Sequence, residues 1–161
     1  MRPIEFRIYC EQNMEMLKVD YLHFDDEGEL LLATSVDDVV PYLENQKDWH
    51  LMQYTGLKDK KGNRIFDGDI VRIDSLEVFN LTSNYNDTPV TGSCISKVEI
   101  IEGHTYVWLT PIIDGKKIRY GARLLLKGLS KYISCNVATG SVEVIGNIHD
   151  NPELLEEGAE E

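Results

Sequence analysis

Two tight turns set the terms for this chain. Asp59-Lys60-Lys61-Gly62 and Asp67-Gly68-Asp69 are separated only by Asn63-Arg64-Ile65-Phe66, and the run Ile70-Val71-Arg72-Ile73 follows at once. A chain reversed twice in so short a distance has no room for a long helix. It fits short strands that bend sharply at their corners, as small barrels require. The first turn has the chemistry of a type I turn closed by a left-handed glycine, a common hairpin loop, and predicts Gly62 at positive φ. Gly56 and Gly68 are read the same way, as backbone bends.

Period-two alternation extends this reading along the chain. Ile4, Phe6 and Ile8 alternate with Glu5, Arg7 and Tyr9, the mark of a half-buried strand. Val19 to Phe24 and Glu29 to Ala33 flank the turn Asp25-Asp26-Glu27-Gly28. His50–Tyr54, Ile95–Ile101, Tyr106–Thr110 and Val142–Ile148 read as further strands, with Trp108 placed in the core. Ser35 to Glu44 is ambiguous: Ser35 and Asp38 resemble a capping box, but Pro41 limits any helix. Residues 80–93 are polar and rich in turn formers, which predicts a mobile surface loop. Ala122, Leu125, Leu126, Leu129 and Tyr132 or Ile133 fall at helical spacing and predict a short amphipathic helix, weakened by Gly128. Asn151-Pro152-Glu153 reads as a helix start, with a capping side chain, then proline, then an acid. The expected fold is therefore mainly β, a β-rich α+β arrangement with short helices. Residues 1–45 form an acidic strand meander. Residues 46–150 form a barrel-like core with the loop 80–93 inserted, and residues 151–161 a short helix and acidic tail.

Charge narrows the partners. The net charge is −12. Residues 1–45 hold eleven acids against three bases, a net of −8; residues 46–79 are balanced; residues 80–148 carry +2 and residues 149–161 carry −6. Phosphate binding needs clustered Lys and Arg to release counterions, and no such cluster exists, so direct nucleic-acid binding is disfavoured. Cys10, Cys94 and Cys135 are odd in number, far apart and form no CxxC, which fits a reduced cytoplasm. Met1 to Tyr9 lacks the apolar core of a secretory signal, and no apolar run approaches the roughly 18 residues of a membrane span. The two N-glycosylation patterns, at Asn80 and Asn86, are discounted for that reason.

Chemistry-bearing motifs are sparse. Asp59, Asp67, Asp69 and Asp74 invite a metal or acid–base reading, but an EF-hand begun at Asp59 puts Lys61 at position three and Gly62 at position four, where the pattern fails. Asp-Gly-Asp is more commonly a turn than a site. His23, His50, His104 and His149 share no zinc-helix spacing. There is no nucleophile elbow, dinucleotide fingerprint or P-loop. No cofactor, metal or catalytic residue is expected. Trp49 and Tyr54 flank a strand and are the weak candidates for an interface.

The motifs themselves resemble those of a known family. Phe6-Arg7, Met52-Gln53-Tyr54-Thr55-Gly56-Leu57-Lys58-Asp59, Gly68-Asp69-Ile70-Val71, Glu143-Val144-Ile145-Gly146-Asn147-Ile148 and Asn151-Pro152-Glu153-Leu154-Leu155 stand in the order seen in the YopX family. Where that family usually has a tryptophan after Phe-Arg, Tyr9 and Cys10 stand here. The resemblance implies a protein of phages and prophages of Gram-positive bacteria, mostly β, with an SH3-like barrel component. It implies no activity, cofactor or catalytic residue. Gly56, Gly62, Gly68, Asp69, Gly146, Asn151 and Pro152 are then structural motif residues. The expected role is a non-catalytic interaction module in the cytoplasm of the host bacterium, self-assembling and with a phage or host protein as a further candidate partner. Two alternatives remain: an acidic decoy for a host nucleic-acid-binding protein, and a carboxylate-dependent hydrolase around Asp67 and Asp69.

Overall fold

The computed structural model describes residues 3–35, 38–43, 49–78, 90–118, 122–126, 133–134, 137–138 and 141–156. The chain divides into two compact units, 1–56 and 57–161. The expected junction at 45/46 lies outside the described residues.

The first unit is an antiparallel meander. Its strands are β1 (Phe6–Cys10), β2 (Glu15–Phe24), β3 (Leu30–Ser35), β4 (Asp38–Leu43) and β5 (Trp49–Lys58), in the spatial order β4-β3-β2-β1-β5. Ile8 pairs with Leu17 on one side and Leu51 on the other, and these side chains share one face. That face packs Ile8, Cys10, Leu17 and Ala33 into a small core, with Val19, Leu22, Trp49 and Leu51 against it. The turn at Asp25 is locked by its own carboxylate, which accepts the amides of Glu27 and Glu29 at 2.9 and 2.8 Å. The ambiguous stretch Ser35 to Glu44 holds β4, an edge strand. An edge tolerates Pro41, because a missing N–H need not cost a ladder bond there.

The second unit carries β6 (Arg64–Phe66), β7 (Asp69–Val78), β8 (Val90–Ile101), β9 (His104–Leu109), β10 (Ile112–Ile113), β11 (Lys116–Lys117), β12 (Ala122–Leu125), β13 (Ile133–Ser134), β14 (Val137–Ala138) and β15 (Val142–Asn147). β7 and β8 are long and pair with each other; β15 and β14 flank β7, while β9 and β10 flank β8. The antiparallel sheet is not closed into a barrel among the described residues.

A single residue explains how β7 serves two partners. Val71 and Ile73 face the core at odd positions, Leu76 and Val78 at even ones. Between them Ser75 takes φ 55° and the register shifts. The extra residue of the bulge flips the phase, bends the strand and keeps the apolar side inward. The inward residues of β7, β8, β9 and β12, together with Ile65 and Val142, form the main core.

Three expectations are corrected. Residues 90–93 are not loop but the start of β8; residues 80–89 lie outside the described residues. Ala122 to Leu125 form strand β12, not a helix, paired with β9 in the register Leu124↔Val107. Leu124 and Leu126 both turn inward, so the leucine run is read by period two once a neighbouring strand supplies backbone partners. Trp108 is 49% exposed rather than core. Its neighbours Val107 and Leu109 point inward, and alternation sends Trp108 the other way. The one described helix is a 3-10 turn, Pro152–Glu156.

Candidate functional site

Three of the four carboxylates that invite chemistry, Asp59, Asp67 and Asp69, hold backbone amides, while Asp74 faces Lys60 at 3.8 Å. Asp59 is fully buried. Its Oδ1 accepts the amides of Lys61 and Asn63 at 2.9 and 2.8 Å, and its Oδ2 accepts the Asn63 side-chain amide and the Val144 amide, both at 3.1 Å. Burial pushes this carboxyl up, but the N–H donors outweigh it and hold it below its ordinary value. The loop is also tied to β15 by the Lys60 amide donating to Val142 O. Outside, Lys60 and Lys61 both meet Glu143, at 3.0 and 2.5 Å, and their hydrogen bonds hold the Glu143 carboxyl below its usual range.

Gly62 sits at φ 85° with open space where a Cβ would go, as the turn chemistry predicts. Gly62→Ala should therefore cost about 1 kcal/mol from backbone conformation alone. A urea midpoint unchanged from the parent protein would contradict that.

The other motif residues converge at one end of the β7–β15 ladder. Asp69 pairs with Asn147 and Ile70 with Gly146. Gly68, at φ 83°, donates its N–H to Val98 O and accepts the Ile148 amide. Asp69, also buried, accepts the Phe66 amide at 2.7 Å. Asn147 Oδ1 accepts the amides of His149 and Asp150, and Asn151 Oδ1 lies behind Gly146, accepting from Asn147 N at 3.4 Å. Asn151 thus serves the turn before Pro152 and packs on Gly146, where a Cβ would lie 2.5 Å from its Oδ1. Gly56 has φ 83° within β5.

Asp67 differs from these. It is partly buried, accepts the Ile100 amide at 3.2 Å, and burial raises its carboxyl above the ordinary value, with Glu99 adding to the shift. Asp67 and Asp69 hold different backbones, at Ile100 and Phe66. Cys94 is buried and burial pushes its thiol up, away from the thiolate a nucleophile needs. His50 meets Glu11 at 2.6 Å and His23 meets Tyr21 at 3.1 Å. Among the described residues, no three His, Cys, Asp or Glu side chains gather as metal ligands do.

What remains for contact with other molecules is surface. Tyr54 is buried, and Trp49 is half-buried against the first core. In the second unit, β9 turns His104, Tyr106 and Trp108 outward. Arg123 lies opposite Trp108, while Glu99 and Leu125 lie on either side of Tyr106. Lys97 pairs with Glu99 at 2.7 Å. Sequence reading missed this face by placing Trp108 in the core, although Val107 and Leu109 beside it carried the signal.

No helix among the described residues is long and apolar enough to cross a membrane. No curated protein matches the chain. The crystal structure of protein EF1440 from Enterococcus faecalis is similar, with a TM-score of 0.51 and 23% identity, over 97% of this chain and 100% of that one. At that identity the likeness shows the fold. The family model described as YopX protein matches residues 5–156, nearly the whole length, and includes every motif from Phe6-Arg7 to the Asn151–Leu155 turn. This chain belongs to the YopX family.

Proposed function

We propose that this YopX-family chain is a non-catalytic protein-interaction module, a phage or prophage accessory protein of the host bacterial cytoplasm that assembles with copies of itself. The observation that carries the reading is the outward face of β9. Tryptophan, tyrosine and arginine are the residues that dominate binding energy at protein contacts, and here they adjoin on one rigid sheet. The face holds both signs of charge, Arg123 and Lys97 with Glu99, so it can match itself across a twofold axis. The acidic segments 1–45 and 149–161 repel their counterparts and belong on the solvent side. An SH3-like barrel relationship is consistent with the bulge that bends β7 at Ser75.

Light scattering over a range of protein and salt concentrations tests this. A dimer or larger assembly is expected, and Trp108→Ser should weaken it at least about tenfold, the loss of one aromatic anchor of about 1.4 kcal/mol or more. The melting temperature of the unassembled chain, measured at high dilution, should hold, because the ring is half in solvent. A monomer under all conditions would remove the reading.

One observation favours the acidic decoy as a second reading. Apart from Trp108, the exposed large apolar side chains among the described residues, Ile4, Met14, Tyr21, Phe24 and Leu31, lie in the first unit, within the segment of net charge −8. Acidic surface mixed with apolar anchors suits a basic protein partner.

A further inference from the structure

The ladder between β1 and β2 ends early. Its last pair is Arg7↔Lys18. Beyond it the two strands go separate ways. Glu5 stays with β5, where Tyr54 N donates to Glu5 O at 2.8 Å. Val19 to Leu22 stay with β3, through a register shift at Asp20. Among the described residues no strand pairs with Val19–Leu22 on the β1 side.

The parted strands leave an open cleft of about 400 Å³, walled by residues 4–6 and 18–22 and wholly within the first unit. That is the size of ligand-binding concavities, about 300–1,000 Å³. Five of its eight lining residues are apolar: Phe6, Val19 and Leu22 are half-buried, while Ile4 and Tyr21 are 80% and 50% exposed. Exposed apolar side chains gathered around a concavity mark a contact surface.

The charge around the cleft decides what fits. Glu5 and Asp20 are in its walls against one base, Lys18. Asp20 is held in place by the Thr34 hydroxyl at 2.9 Å. Over the described residues 3–35 of the first unit, eight acids stand against two bases, Arg7 and Lys18. An acidic partner would be repelled and a neutral one left without complementarity.

We propose that the β1–β2 cleft seats an apolar side chain carried on an extended, Lys- or Arg-rich segment of another protein. The inference rests on the interaction-module reading and names a partner for a surface separate from the Trp108 face. The apolar anchor fills the gap between Phe6 and Val19, and the basic flanks lie along Glu5 and Asp20.

The test uses the full chain and a fluorescein-labelled synthetic peptide of alternating Lys with Leu and Val. Two control peptides carry Glu in place of Lys, or Ser in place of Leu and Val. Fluorescence anisotropy should show saturable binding of the first peptide, weakened by salt as surface charge is screened. Both controls should bind at least about tenfold more weakly, and Tyr21→Ser should lower affinity by a similar factor, as loss of an anchor does. Lys18→Glu removes the one base in the lining and should raise affinity with the melting temperature unchanged, a pairing that misfolding does not produce. Trp108→Ser should leave peptide binding intact. Three results would overturn the proposal: no saturable binding, equal binding of the Lys/Ser peptide, or Tyr21→Ser and Lys18→Glu without effect. If Tyr21→Ser instead dissolves the self-assembly, the cleft belongs to a second copy and the proposal fails. Loss of self-assembly with Trp108→Ser then still upholds the interaction-module reading, so the two can fail separately.

Discussion

Asp59→Ala should lower stability by about 3–4 kcal/mol, the cost of removing charge-assisted hydrogen bonds and leaving buried donors unanswered. The carboxylate accepts four N–H groups, and one of them, on Val144, lies on a strand distant in sequence. Asp59→Asn should cost less, since its carbonyl keeps one acceptor while its amide faces donors. The pH dependence has a fixed sign. The folded carboxyl lies below its ordinary value of 3.8, so its contribution is fully present above that value. It is lost as pH falls through the lowered folded value. Urea unfolding of the parent and Asp59→Ala at pH 7 and in acid should therefore show a gap that narrows as pH falls. A gap independent of pH would contradict the role given to the charge. Asp67 works in the opposite direction: its raised value means that its charge opposes folding as pH rises through it.

Gly92→Ala carries the second large effect. Gly92 pairs with Leu76, next to the fully buried centre of the sheet. A Cβ there would be driven into the carbonyl oxygen of Ile112 and would lie 2.9 Å from Ile113 Cγ1. Backbone cannot step aside as a side-chain tip can, so β10 must leave β8 or β8 must shift. A loss of about 2–3 kcal/mol is expected, at the upper range for overpacking. Thermal melting checks it, and a change under about 0.5 kcal/mol, the ordinary scale of surface substitutions, would show that the approach is looser than described.

Gly92 also shows where sequence reading ran out. Thr91-Gly92-Ser93 looks like turn material, because its lack of bulk is a loop signal when taken alone. In the sheet the same lack of bulk admits a crossing strand, a need set by residues 112 and 113 and invisible locally. The leucines at 124–126 failed for a related reason: a run of identical apolar residues satisfies period two and period 3.6 alike, and only β9 decides between them. The turns were legible because their causes are local. Asp25, Asp59 and Gly62 hold residues within a few positions of themselves. The partner of Asp59 on β15 was not legible, nor was the cleft, which exists because two strands stop pairing. The Trp108 face was legible in principle, since the alternation of Val107 and Leu109 fixes its direction.

The bond from Val144 to Asp59 has a consequence for synthesis on the ribosome. In the first unit β1 to β4 are neighbours in both sequence and space, so that sheet can grow as it emerges. The second unit cannot finish in that order. The hairpin at Asp59 keeps an unanswered acceptor, and β7 keeps an open edge from Asp69 to Ile73, until β15 has been translated. An open edge of that length is a template for pairing with a nascent neighbour. During translation the order of the strands therefore leaves a nearly neutral, apolar half-sheet waiting behind a completed acidic one, whose charge keeps neighbouring nascent chains apart while it waits.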